Sequence, residues 1–186
     1  MLTAIIGVAR SLGGVVLGWW LTRRTSRDER EWRERQTVRE RQEAAAAALD
    51  CALVDIQDKT PRTVMPCIKA RDPIVEAQRR VREAWTRAVV ISDPEIVRRM
   101  NALDMALFIA VGDVVRSKAD ASVNFWPVAI MFMDARQALA AFQRREAPPP
   151  AELPDARELV KLSSASDAEA GMNAIHMELL RRAASS

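Results

Sequence analysis

The chain has 186 residues, 49% of them hydrophobic but only 5% aromatic and none Tyr, with 28 basic and 25 acidic side chains for a net charge of +3. Residues 44–186 hold 19 charges of each sign, so the clustered positive footprint of a nucleic-acid binder is absent. With a single His and two cysteines, Cys51 and Cys67, outside any C-x-x-C pair, the usual zinc patterns are excluded.

Leu2–Thr22 is apolar or small throughout except for Arg10. At 1.5 Å per residue these 21 residues make about 31 Å of helix, close to the roughly 30 Å hydrocarbon core of a bilayer. Trp19 and Trp20 fall where indoles favour the headgroup level, and Arg23 and Arg24 follow directly. A cleaved signal peptide needs a leading charge and a small-residue cleavage site, and the run has neither. An interfacial helix needs a Lys/Arg-rich polar face, which is also missing. The expectation is a transmembrane helix over 2–22. Arg23, Arg24, Arg27, Arg30, Arg33, Arg35 and Arg39 crowd its C-terminal side, which predicts a single-pass protein of the inner (plasma) membrane with a cytoplasmic C-terminal domain.

Within that run Gly7, Ser11, Gly14 and Gly18 share one helix face, and Gly14-x-x-x-Gly18 lets a second helix backbone approach closely. Arg10 borders the same face. A guanidinium at that depth costs about 2.5–3.5 kcal/mol and usually faces protein or water. Two readings stand: the face docks on another transmembrane helix, its own copy or an acid-bearing partner, or Arg10 snorkels to the headgroups and the glycines are incidental.

Residues 23–43 carry eight Arg and six acids with no apolar stripe beyond Trp32 and Val38. Opposite charges recur four apart, at Arg27/Glu31, Glu29/Arg33, Arg30/Glu34, Glu31/Arg35 and Arg39/Glu43, each worth a few tenths of a kcal/mol to an exposed helix. The pattern predicts a solvated helical stalk about 30 Å long, polar all round because nothing covers it, with a coiled coil as the runner-up despite its missing seam.

A helical bundle is expected over 44–146. Its first helix shows Ala44 to Ala48, Leu49, Ala52, Leu53 and Ile56 on one face, includes Cys51 as a small core residue, and ends at Thr60-Pro61. Residues 60–72 read as a loop or short helical turn. Asp72-Pro73 opens a second helix with Ile74, Ala77, Val81, Ala84, Trp85, Ala88 and Ile91 inward. Ser92-Asp-Pro-Glu95 reads as a capping box that follows after a residue or two, giving a tight αα-hairpin. The third helix, about 93–118, is apolar on most sides from Met105 to Val111, which marks it as central. Ser122 or Asn124 caps the fourth, with Pro127 in its first turns and Val128, Ile130, Met131, Phe132, Leu139 and Phe142 inward. Met100, Met105, Met131 and Met133 read as core fillers. Residues 147–154 form a stiff Pro-rich connector. The helical tail, 155–186, has a short helix after Pro154 and a second opened by a capping box at Ser166-x-x-Glu169; Met172, Ile175, Leu179 and Leu180 give it a face that packs on the bundle or awaits a partner.

Chemistry is sparse. Asp50, Asp55, Glu83, Asp104, Asp113 and Asp134 fall on bundle helices and suit boundary positions or ion pairs with Arg80, Arg99 or Arg136. A di-iron bundle needs Glu-x-x-His pairs, and the lone His176 has Asn173 where the Glu would stand. Without a phosphate loop, nucleophile elbow or dinucleotide fingerprint, no catalytic residue, metal ligand or cofactor site is expected.

The sequence of a Gly-rich span, an Arg/Glu-rich stalk and an Ala-rich helical domain with a hairpin at Ser92-Asp-Pro-Glu95 resembles a loose group of uncharacterised bacterial single-pass membrane-anchored helical-bundle proteins. The resemblance is one of pattern and implies no activity. The expected function is a membrane-tethered interaction or scaffold module, with a membrane-bound enzyme or a small-ligand sensor whose pocket lies inside the bundle as alternatives.

Overall fold

The computed structural model describes the side chains of residues 28–60, 72–116, 123–150, 152–164 and 171–184, and the backbone elements at 2–27, 63–64, 68–71 and 165. The protein is all-α. Its elements are α1 Leu2–Lys59, β1 Thr63–Val64, α2 Ile68–Arg87, α3 Pro94–Arg116, β2 Val123–Asn124, α4 Trp126–Arg144, α5 Ala156–Ala165 and α6 Gly171–Ala183. The strands form a two-residue antiparallel bridge, Thr63 opposite Asn124 and Val64 opposite Val123, too short to leave an alternation in the sequence. The chain divides into two compact units, Met1–Arg41 and Gln42–Ser186.

In the first unit the described part of α1 is solvated on every side: Trp32 is 65% and Val38 53% exposed. Of the expected pairs, Arg33 meets Glu29 at 3.6 Å and Arg35 meets Glu31 at 3.4 Å, and Gln36 donates to Glu40 at 2.9 Å. Arg27 lies outside the described side chains. Glu43, the last residue of the expected stalk, belongs to the second unit, where it accepts from Arg145 at 3.1 Å. Among the described residues no helix is long and apolar enough to cross a membrane. Leu2–Thr22, on which the anchor expectation rests, lies outside them, as do Gly7, Arg10, Ser11, Gly14, Gly18, Trp19, Trp20, Arg23 and Arg24.

The second unit is built on one hydrophobic core. From the last part of α1 come Ala46, Leu49, Leu53 and Ile56, four positions at three- and four-residue spacing, all buried. Cys51 is exposed, because two residues beyond Leu49 the helix has turned about 200° away from the core. Lys59 ends α1 as expected, and the Thr60 hydroxyl donates back to Ile56 O at 2.7 Å.

On α2 the expected face holds, with Ile74, Ala77 and Val81 buried and Ala84 and Trp85 packed against them; Ala88 and Ile91, expected on the same helix, are buried too but lie beyond its end at Arg87. Its start is not. The helix begins at Ile68, which puts Pro73 inside rather than in the first turn, where the missing N–H leaves the Lys69 carbonyl without its helical donor. The link to α3 is a six-residue turn, 88–93, longer than the one or two residues expected. Asp93, not Ser92, is the cap: its Oδ1 accepts from Glu95 N at 2.9 Å and Ile96 N at 3.1 Å, with Pro94 as the first helical residue. Ser92 instead accepts from Gln42, whose amide also donates to Val90 O at 2.9 Å, tying α1 to this turn.

Helix α3 is the central element, in contact with α2, α4, α5, α6 and β2. Its burial is one-sided, however: Ile96, Met100, Leu103, Leu107 and Ala110 are buried while Phe108 is 58% exposed. The run 105–111 is therefore apolar all round in sequence without being covered all round. In α4, Val128, Met131, Phe132 and Leu139 are buried, Ile130 and Phe142 partly so, and Met133 is 51% exposed, contrary to its reading as filler. Asn124 Oδ1 accepts from Trp126 N at 2.9 Å at the start of α4, and the helix closes at Arg145 with φ 62°. There Glu146 N bonds Ala141 O at 2.9 Å and Arg145 N bonds Phe142 O at 3.1 Å, a Schellman closure with Arg where glycine is usual.

The tail is part of the core, which settles the choice between docking and waiting. Leu159 of α5 and Met172, Ile175 and Leu179 of α6 are buried, though Leu180 is 51% exposed. A reciprocal capping box opens α5: Asp155 accepts from Arg157 N and Glu158 N at 2.8 and 2.9 Å, and Glu158 accepts from Asp155 N at 3.0 Å. The box expected at Ser166-x-x-Glu169 lies outside the described residues.

Candidate functional site

The bundle's acids are where a site would have to be built, and each of the six is held by an arginine. Asp50 accepts from Arg136 at 2.9 Å; Asp55 accepts from Arg80 and pairs with Lys59; Glu83 accepts from Arg79; Asp104 accepts from Arg82 at 2.8 Å. Asp113 accepts from Arg116 at 2.9 Å and Asp134 from Arg99 at 2.8 Å. The expected partners Arg80, Arg99 and Arg136 are all used. The acids do not converge: among the described residues no group of three acid, His or Cys side chains is placed to hold a metal ion.

Two charged side chains among these, Arg99 and Asp113, are buried and join elements. Arg99 is 1% exposed at its side chain and spends its donors in three directions. Its Nε donates to Glu95 at 2.9 Å, its Nη1 to Asp134 Oδ1 at 2.8 Å and Asp134 O at 3.2 Å, and its Nη2 to Pro149 O. One guanidinium thus fastens α4 and the Pro-rich connector to the first turn of α3. Arg98 grips Glu95 bidentately at 3.0 and 2.9 Å. The Arg98 hydrogen bonds, with those of Arg99, hold the Glu95 carboxyl at about 2, against an ordinary 4.5. Burial pushes the Asp134 carboxyl up, with Arg99 opposing. Arg99 directs donors from all three of its nitrogens to protein acceptors, the arrangement of a structural clamp.

Asp113, 3% exposed on α3, caps another helix from outside. Its Oδ2 accepts from Met172 N at 2.6 Å, in the first turn of α6. There the carboxylate meets the positive end of the helix dipole. Gly171 permits the approach, since a Cβ there would stand 3.1 Å from both Asp113 oxygens and from Ile109 Cγ2. His176 is half-buried on α6 with Nδ1 unpartnered among the described residues.

A groove runs along the solvent side of α2, bordered by Val75, Arg79, Arg82, Glu83 and Arg87, with the 9% exposed Gln78 in its lining. Gln78 Nε2 is buried without a hydrogen-bond partner among the described residues. Sequence reasoning missed this groove because its residues read as the solvated half of an amphipathic helix. The one available signal was a Gln next to Ala77 on the buried side.

Compared with known proteins, the chain matches no family model, no curated protein and no solved structure.

Proposed function

We propose that the chain is a membrane-tethered helical interaction module. Leu2–Thr22 spans the inner membrane, Trp19, Trp20, Arg23 and Arg24 set its depth, and the bundle lies on the cytoplasmic side. The observation that carries this reading is the leader itself: 21 residues of bilayer length, ended by paired indoles and then by a run of arginines. The bundle supports the interaction half. Two of its buried polar groups join helices, Arg99 to α4 and the connector and Asp113 to α6, which suits a rigid body presenting surfaces.

The Gly7/Ser11/Gly14/Gly18 face, with Arg10 at its border, is proposed to dock on a second transmembrane helix. Washing membranes in alkaline carbonate tests the tether. The full chain should stay with the lipid while a chain beginning at residue 44 is released; release of both would end the proposal. In a membrane-dimerisation reporter carrying residues 1–30, Gly14→Leu and Gly18→Leu should each lower the signal if the partner is a second copy.

A further inference from the structure

Helix α3 leaves an apolar stripe in the open. Phe108 and Val115 are each more than half exposed, and Met105 and Gly112 beside them are only partly buried. Asp104 stands at one end of the stripe and Arg116 at the other. At about 100° per residue these six positions fall within an arc of about 120°, one side of the helix. Ile109 and Asp113 lie outside that arc, toward Gly171 and Met172 at the start of α6. An apolar stripe rimmed by polar residues marks a contact surface.

The order of residues along the stripe selects the partner. In an antiparallel copy crossing at Ala110, each position is opposed by the one equally far beyond that midpoint. Asp104 then faces Arg116, Met105 faces Val115, and Phe108 faces Gly112: opposite charges, two apolar chains, and a large ring over a missing side chain. A two-fold, isologous contact requires a face that is its own complement in this way. We propose that the outer side of α3 is a self-association surface whose occupant is α3 of a second copy, packed antiparallel. The charged ends have capacity to spare. Arg82 reaches Asp104 with two donors, at 2.8 and 3.2 Å, and a carboxylate offers about four lone-pair sites. Arg116 bonds Asp113 at 2.9 Å and keeps further N–H groups on the same guanidinium. Its Nη2 lies 3.3 Å from where a Gly112 Cβ would stand, so a second copy's Phe108 seated on Gly112 meets the guanidinium face. Six residues a side, against about 20–30 in a standard interface, make this a weak, concentration-dependent contact. The proposal deepens the interaction-module reading by naming a partner, and it does not depend on insertion of Leu2–Thr22.

Disulfide trapping tests it, on the full chain in mild detergent at high concentration, with Cys51→Ser and Cys67→Ser removing the native thiols. Chains carrying Met105→Cys and chains carrying Val115→Cys, tagged differently and mixed, should form the mixed disulfide at least about tenfold faster than either forms one with itself, because like positions lie about 15 Å apart along an antiparallel pair. Phe108→Glu, which sets a charge against the apolar stripe of the second copy, should slow that reaction about tenfold. Because Phe108 is exposed, its Tm should hold, which separates lost association from lost folding. Arg116→Ala, which removes one charge partner at each end, should slow trapping severalfold. No mixed disulfide, equal rates for like and unlike positions, a rate indifferent to Phe108 and Arg116, or loss of the cross-link on adding phosphatidylglycerol, which would give the face to lipid, would each overturn the assignment. Such a failure leaves the carbonate result untouched, and release by carbonate leaves the trapping result untouched.

Discussion

Replacing Arg99 by Met removes the only cation that reaches Asp134 by a hydrogen bond among the described residues. Three groups lose a donor, with unequal consequences. Glu95 keeps its bidentate bonds from Arg98, and the Pro149 carbonyl belongs to an exposed residue that water can reach. Asp134 is the one stranded: its side chain is 16% exposed, and burial already pushes its carboxyl up. Removing one partner of a buried pair costs about 3–5 kcal/mol. Asp134 can escape part of that by taking a proton, so a loss of about 3 kcal/mol is expected, a large share of the 5–15 kcal/mol typical of a domain. Urea unfolding of the full chain in mild detergent, followed by far-ultraviolet circular dichroism, measures it. The double variant Arg99→Met/Asp134→Leu should recover most of the loss, because it leaves no charge behind. A single-variant loss below about 1 kcal/mol, or a double variant as unstable as the single, would refute the clamp.

Further outcomes are expected from the same assay. Asp113→Ala should cost about 1 kcal/mol, the scale of a lost cap, and should speed amide exchange in α6 before other helices; unchanged α6 protection would contradict its docking role. Gly171→Val should cost about 1–3 kcal/mol through crowding against Asp113 and Ile109. Arg145→Gly relieves a left-handed residue, worth about 1 kcal/mol, but loses an exposed pair with Glu43 worth at most about 1 kcal/mol, so stability should hold or rise, and a clear loss would count against the cap geometry. Glu95 ionises at about 2 in the folded chain and 4.5 ordinarily, so its contribution is whole above about pH 4.5 and is lost as pH falls through about 2. Asp134, shifted upward, has the opposite sign and softens that fall; Glu95→Gln should flatten the urea midpoint between pH 5 and 2.5, and an unaltered slope would show that the shift is absent.

What could be read from the sequence was what periodicity encodes. Ile74, Ala77, Val81 and Ala88 recur at helical spacing and are buried, and the acid–arginine partners were foreseeable because lone buried charges are not tolerated. The errors share a cause: one-dimensional pattern does not fix rotation or register. Cys51, Phe108 and Met133 sit in apolar stretches yet point outward. Ser92 was as good a cap by type as Asp93, and only the backbone decides which residue precedes the first helical turn. Asp155-x-x-Glu158 carries the capping-box spacing and was overlooked beside Pro154, while Pro73 misled because α2 starts one turn before it. The Asp113 contact to Met172 N joins residues 59 apart, and nothing local announces it.

The most direct measurement for the whole account is a pair of reporter fusions expressed in a bacterium, alkaline phosphatase and green fluorescent protein, placed after Glu43 and after Ser186. The account predicts fluorescence without phosphatase activity at both positions, from protein that sediments with membranes. Phosphatase activity at either position, or fluorescent protein free in the soluble fraction, would contradict it.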